Sequence, residues 1–211
     1  MLKRETWENK VQHFEANWWG DCANTYGEET KQIAYAKAMG LDPGTWRGGD
    51  HWPKWDFGDA SVVDIGGGPS SMLLKSSFGF GVVVDPCPYP EWVKERYANH
   101  GVVSAREPAE DYLEGYGDQR FDVALCYNVL QHTMDPELIC REMRRVAKRV
   151  HLFEWVDLAP HPGHPHELHA EELAEWLQGE GTHVWLDEQY QQIGASSKSP
   201  VRQHGWGGTF G

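Results

Sequence analysis

The chain has 211 residues, enough for one domain with a substantial core and a single active site. Its 19 Lys and Arg stand against 32 Asp and Glu, a formal net charge of −13 that repels a phosphate backbone and disfavours long DNA or RNA as a partner. No apolar run approaches the roughly 20 residues that span a bilayer, and Met1-Leu2-Lys3-Arg4 opens onto polar residues instead of a signal core, so a soluble, cytoplasmic protein without membrane partners is expected.

Trp7, Val11, Phe14 and Trp18 recur at helical spacing, which predicts a first amphipathic helix ending near Trp19-Gly20. A polar loop from Asp21 to Gly27 leads to a second helix, from about Glu28 to Met39, stopped by Gly40. From Asp42 to Gly58 the chain is rich in Gly, Pro, Trp and Asp and reads as a loop held down by indoles. Trp is the unusual residue: of 11, six (Trp7, Trp18, Trp19, Trp46, Trp52 and Trp55) precede the first strand. They either cover an edge of the core or line a substrate pocket. Residues 1–58 are therefore read as a helical, aromatic cap or lid and 59–211 as the core.

Within 59–211 the period alternates. Strands are predicted at Ala60–Ile65, Phe80–Asp85, Gly101–Ala105, Phe121–Tyr127, Arg149–Trp155, Thr182–Asp187 and near Val201–Phe210. Helices are predicted to begin near Pro69, Pro90, Pro108, Pro136 and His169, Pro being well tolerated in a first helical turn. The fold class is α/β, a Rossmann-like seven-stranded sheet with helices on both faces and an N-terminal helical cap. With no helix evident between the last two strands, an antiparallel pair is expected at one edge. Cys22, Cys87, Cys126 and Cys140 lack paired metal-type spacing and read as free thiols.

Asp64-Ile65-Gly66-Gly67-Gly68-Pro69 follows the first strand, and Asp85 ends the second. Glycines let backbone approach a ligand, and a carboxylate at the next strand tip accepts bonds from ribose hydroxyls; the alternative for Asp85 is a surface cap on the turn at Pro86. The third glycine of the dinucleotide fingerprint is missing, since Ser70 and Ser71 occupy the plausible positions, and Lys75 lies too far inside for a phosphate-cradling loop. Asp64 would repel a pyrophosphate but could pair with a cationic amino-acid moiety.

On these residues the chain resembles the class I S-adenosylmethionine-dependent methyltransferases. Asp64 to Pro69 is similar to that family's first motif and Val82-Val83-Val84-Asp85 to its second. Ala109-Glu110-Asp111-Tyr112 resembles the stretch bordering the adenine, and Phe121 to His132 the fourth strand with its exit loop. The resemblance implies S-adenosylmethionine as cofactor. It assigns Gly66, Gly67 and Gly68 to the methionine portion and ribose, Asp85 to the ribose hydroxyls, Glu110 to the adenine edge, and Asn128 and Val129 to the methionine end. Glu110 as an exposed helix-start charge is the alternative. Trp18 to Glu29 is similar to N-terminal segments of methyltransferase-like proteins from phages and bacteria, which puts Trp19, Asn24, Thr25 or Tyr26 near the cofactor, beneath a lid; a purely structural connection is the alternative.

Methyl transfer is an in-line displacement, so the protein's main work is to position the acceptor and exclude water. His132 sits where a base could take a proton from a hydroxyl or ammonium group, or else caps the following helix. His166 is a second catalytic candidate, and Tyr127, Gln131 and Glu154 lie at strand ends where ligands bind. His161-Pro162-Gly163-His164-Pro165-His166-Glu167-Leu168-His169 holds four imidazoles and a carboxylate, but its spacing gives no helical pair of metal ligands, so no metal is assigned and lining the acceptor site is the alternative role. Cys126-Tyr127-Asn128-Val129 lacks the Pro-Pro-aromatic signature of base-amine methylation, and Pro86-Cys87-Pro88 follows the wrong strand for pyrimidine-carbon chemistry. The expected acceptor is a small molecule, a nucleotide or sugar, or a protein side chain. A non-catalytic S-adenosylmethionine-binding partner or sensor, and an NAD-dependent oxidoreductase, are the other classes.

Overall fold

The computed structural model describes residues 1–22, 25–41, 55–186 and 203–211. Seven strands form one sheet: β1 Ser61–Ile65, β2 Phe80–Val84, β3 Val102–Ala105, β4 Phe121–Tyr127, β5 Ala147–Trp155, β6 Thr182–Leu186 and β7 Gln203–Phe210. Their order is β3-β2-β1-β4-β5-β7-β6. The pairs from β3 to β5 are parallel, whereas β7 runs antiparallel to both β5 and β6. The expected antiparallel pair exists, with β7 inserted between β5 and the edge strand. Order reverses between β1 and β4, so the carboxyl ends of β1, β2 and β4 surround the crevice where such sheets bind ligands.

Val62, Val63, Ile65, Val82, Val83 and Val84 are at most 2% exposed, because this sheet is covered on both faces and its central strands can be apolar throughout. One face packs against α4 (Ala109–Glu114), α5 (Pro136–Val146) and α6 (Ala170–Leu177). In α5 the Asp135 carboxylate caps Leu138 N–H, Pro136 fits the first turn, and Ile139, Cys140, Met143 and Val146 make the buried stripe. The other face is covered by α3 (Glu91–Asn99), by Trp55, Met72 and Leu73, and by α2 (Tyr26–Ala38).

The helix predicted to begin near Pro69 does not form. The connection from Gly66 to Gly79 is close to the minimum of roughly a dozen residues for a parallel crossover, leaving no room for several helical turns. It holds instead one 3₁₀ turn, Met72–Lys75, capped by Ser71, and a two-residue strand, Ser76–Ser77, paired with Trp55–Asp56. The uncovered area is filled by α2, two residues longer at its start than expected. Tyr35 stacks on Phe153 with ring centres 4.4 Å apart, and Met39 O accepts a 2.7 Å bond from Thr209 Oγ1. Gly207 lies beneath α2, where an added Cβ would come 3.4 Å from Ala38 O and also 2.6 Å from Leu152 O of β5.

The first helix, α1 (4–19), ends at Trp19 before Gly20, as the sequence predicts, but its register does not follow a uniform α-helix. Trp7–Gln12 is a π segment whose turns take in one more residue each, which advances the buried stripe. Trp7 and Val11 are buried beside Met134, while Trp18 is 65% exposed and Trp19 takes the inward position. Trp46 and Trp52 lie outside the described residues. The four cysteines are free and buried. Among the described residues no helix is long and apolar enough to cross a membrane.

Candidate functional site

The glycine turn sits at the tip of β1 under several converging elements. Gly66 has φ +64° and no space for a side chain, because a Cβ would lie 2.4 Å from Val129 Cγ1. Gly68, also at φ +64°, faces the open side: Trp19 at 3.6 Å and Tyr89 Oη at 3.9 Å are the nearest atoms to such a Cβ. Gly67 is hemmed in by the Asp64 carboxylate and Ser71. Two tyrosines lock the turn from beneath. Tyr97 Oη of α3 donates to Gly68 O and accepts from Ser71 N–H, and Tyr127 Oη of β4 accepts from Met72 N–H and donates to Asp64 Oδ2 at 2.8 Å. Gln32 of α2 donates to Ser70 O.

Asp64 is fully buried. Its Oδ2 takes bonds from Ser71 and Tyr127, while Oδ1 has no partner among the described residues. Burial pushes its pKa up to about 7, against the lowering effect of those two hydroxyls. Asp85 directly follows β2, with Oδ2 accepting from Gly68 N–H and Oδ1 from Cys87 N–H, both at 3.0 Å. It thus braces the turn, and burial raises its pKa to about 6. Tyr89 is a third donor to the carboxylate, which leaves one of its roughly four lone pairs for a ligand hydroxyl. Beside it opens a cleft of about 660 Å³, walled by Arg4, Trp7 and Gln12 of α1 and by Pro86, Arg106 and Pro108. Open backbone at Gly68, the remaining Asp85 lone pair, the unpaired Asp64 oxygen and a cleft bordered by Pro and Trp fit an adenosyl amino acid.

The exit loop of β4 is set by a second buried carboxylate. Asn128 adopts φ +59°, and Glu154 Oε1 of β5 accepts from Val129 N–H at 2.8 Å and Leu130 N–H at 2.9 Å. Burial raises Glu154 to about 7, and its Oε2 has no partner among the described residues. Glu110 is neither an exposed charge nor free for a ligand at Oε1, which holds Met134 N–H and Asp135 N–H at 2.9 and 3.2 Å. Thr25 is the N-cap residue of α2 and makes no side-chain capping bond; Asn24 lies outside the described residues, and Tyr26 opens α2.

His132 ends the 3₁₀ turn Leu130–His132. Its Nδ1–H points at Gly163 O, 2.9 Å away, and Glu15 Oε1 lies 3.0 Å from the same nitrogen. A carbonyl can only accept, so Nδ1 carries the proton and Nε2 carries the lone pair in the neutral ring. Nε2 has no hydrogen-bond partner among the described residues. His164 packs edge-on at 4.3 Å. His166 is not turned the same way: its Nε2 bonds to Thr133 O at 2.8 Å, and burial lowers its pKa. No group of three or more His, Cys, Asp or Glu among the described residues is arranged to hold a metal ion.

A further polar array escaped the sequence reading. Asp157 Oδ1 meets His169 Nδ1 at 2.9 Å and Oδ2 meets His204 Nδ1 at 2.8 Å, while Asp157 N–H bonds to Leu168 O. The array closes the base of the loop 158–168, whose tip carries Gly163 to His132. At that tip a Cβ on Gly163 would fall 2.3 Å from the Phe14 ring. Gly163→Ala is therefore expected to unseat α1 locally and cost roughly 1–3 kcal/mol, a fall of several degrees in Tm. Gly117→Ala, where nothing lies within 4 Å of the added carbon, is the control; equal melting of the two variants would contradict this packing.

A family model described as a methyltransferase domain matches residues 63–151. No curated protein matches the chain in sequence. Among solved structures it is similar to the 1,6-didemethyltoxoflavin-N1-methyltransferase of Burkholderia thailandensis, crystallised with 1,6-didemethyltoxoflavin and S-adenosylhomocysteine: 16% identity, TM-score 0.60, covering 100% of this chain and 90% of that one. It is also similar to a Thermotoga maritima S-adenosylmethionine-dependent methyltransferase described as a possible histamine N-methyltransferase, with 18% identity, TM-score 0.54, and 99% and 100% coverage. YcgJ of Bacillus subtilis aligns at 15% identity and TM-score 0.54, with 71% and 90% coverage. At these identities the structural likeness shows the fold.

Proposed function

We propose that the chain, whose residues 63–151 match a methyltransferase-domain model, is a class I S-adenosylmethionine-dependent methyltransferase that methylates a hydroxyl or amine of a small molecule, such as a nucleotide or sugar, with His132 as general base. The observation that carries this reading is His132 itself, with Nδ1–H fixed by Gly163 O and Nε2 without a partner among the described residues at the edge of the β4 exit loop. A small acceptor is favoured over a macromolecule because α1 lies over the site, Trp19 beside Gly68 and Glu15 beside His132. The charge of −13 argues further against long nucleic acid. Four free, buried thiols support a cytoplasmic location.

Gly68 and Asp85 would hold the ribose and methionine portions, Asp85 through its remaining lone pair, and the cleft beside Pro86 and Pro108 would take the adenine. S-adenosylmethionine, when bound, supplies an electrophilic methyl group: the acceptor's lone pair bonds to carbon as the carbon–sulfur bond breaks, leaving a neutral thioether. Trp19 and Trp7 of α1 exclude water from the crevice, and Asn128 and Val129 wall its methionine end. His132 Nε2 receives the acceptor's proton, a contribution of typically 10²–10⁴-fold.

The test is transfer of labelled methyl from S-adenosylmethionine to a panel of small hydroxyl and amine compounds, nucleotides, sugars and peptides, run beside calorimetric binding of S-adenosylhomocysteine. Label moving to a small acceptor is the expected result. Tight binding without transfer to any class would favour a non-catalytic binding partner, and transfer to peptides alone would overturn the small-acceptor reading.

A further inference from the structure

We propose that Glu15, on α1, is the positioning residue of His132: it holds the imidazole with Nε2 presented and stabilises the cation formed when that nitrogen takes the acceptor's proton. The proposal rests on the reading of His132 as the base.

Glu15 and His132 side chains are only 13% and 16% exposed. A carboxylate is costly to remove from water unless it is paired. Glu15 sits in acidic surroundings, close enough to raise the pKa of both Asp85 and Cys87. It pairs with the imidazole, 3.0 Å away. A largely enclosed carboxylate with a second one, Asp85, nearby is best accounted for by what it does to that ring.

The groups facing His132 come from three elements. Glu15 approaches from α1, Glu154 from β5, and Gly163 O and the His164 ring from the loop 158–168. Burial alone would push His132 down; the bond and charge of Glu15, aided by Glu154, outweigh it, and the net displacement is upward. His164 is itself driven down to about 3 by burial, so it is neutral near pH 7 and does not oppose a charged His132. The proton balance is simple: the acceptor O–H or N–H gives its proton to Nε2, the ring becomes imidazolium, and Nδ1–H stays directed at Gly163 O and Glu15. The positive charge then lies against a carboxylate instead of in a low-dielectric pocket.

Glu15 also reports whether α1 is seated. The same helix is tied to the base's own loop by Trp7 Nε1–H to His132 O at 2.7 Å, and Leu2, in the segment that leads into it, bonds through its N–H to Met134 O at 2.8 Å. Base and lid thus form one unit, and an unseated α1 would leave His132 with Gly163 but without its counter-charge.

The test uses the full chain, labelled with ¹⁵N in histidine and saturated with S-adenosylhomocysteine, and follows the His132 ring nitrogens against pH. The wild type should show the Nδ1–H tautomer. Glu15→Gln should titrate at lower pH, and Glu15→Asp, which keeps the charge, should titrate above Glu15→Gln. If Glu15→Gln does not fold, wild type and Glu15→Asp still decide it, since an Nε2–H tautomer in both would overturn the proposal. Superimposable titrations of wild type and Glu15→Gln, with cofactor-product binding retained, would overturn it too. Failure of the base reading is separate: it would appear as undiminished transfer by His132→Asn, whatever the titrations show.

Discussion

His132→Asn lowers kcat by roughly 10²–10⁴-fold, the usual contribution of a positioned general base, while the Kd for S-adenosylhomocysteine stays near the wild-type value. Asn cannot take up a proton, and the binding residues proposed at Gly68, Asp85 and the cleft lie on other elements. The measurement is single-turnover methyl transfer to the acceptor identified by the screen, with calorimetric binding alongside. A fall in kcat shared by a large loss of binding would mean that the substitution had loosened the 158–168 loop, which His132 also anchors through Gly163 O. Unchanged kcat would mean that desolvation and alignment suffice, and that the acceptor reacts without a base.

Asp85→Ala has the other large effect. If a ribose hydroxyl donates to this carboxylate, a bond to a charged acceptor is worth about 1.5–3 kcal/mol, so the Kd should rise by roughly 10–10²-fold. The substitution also orphans Gly68 N–H and Cys87 N–H, and Asp85→Asn, whose side-chain oxygen can serve one of them, should bind between the two. The pH dependence has a definite sign. Asp85 in the free protein has its pKa raised to about 6, above the unfolded value of about 3.9. The native state therefore holds the proton more tightly, and the contribution to stability present below the unfolded value is lost as pH rises through about 6. Ligand binding should behave oppositely, strengthening from pH 5 to 7 as the carboxylate ionises. Asp85→Ala should lose both trends; a wild-type affinity flat across this range would refute the role.

Much of the fold was legible because its signals are local. Six apolar runs mark β1 to β6, those of β1, β2 and β6 ended directly by Gly66, Asp85 and Asp187, and Asp64 to Pro69 with Asp85 gives the glycine turn and its carboxylate from short stretches of sequence. What was hidden depends on distance. Nothing in Pro69-Ser70-Ser71 announces that a helix will fail there; the failure comes from the short crossover and from α2 taking the space. Trp18 and Trp19 differ only through a π segment that apolar spacing does not encode. Tyr97, Tyr127 and Gln32 reach the turn from three separate elements, and Glu15 reaches His132 across more than a hundred residues. Glu110 illustrates the same limit: the sequence places it at a helix start, but not that its Oε1 is spent on the backbone of the loop at Met134.

The replacement of a crossover helix by α2 bears on how the chain comes together. Thr209 Oγ1 and Met39 O meet across 170 residues, and Tyr35 closes over Phe153. During synthesis α2 emerges long before β5 and β7 exist, so its apolar side must wait, unsatisfied, while most of the polypeptide leaves the ribosome. Contacts of such long sequence separation form late and slowly. The interval leaves Tyr35, Met39 and the bare face of β5 open to wrong partners, which makes slow synthesis or a shortage of chaperone the conditions under which this protein would aggregate.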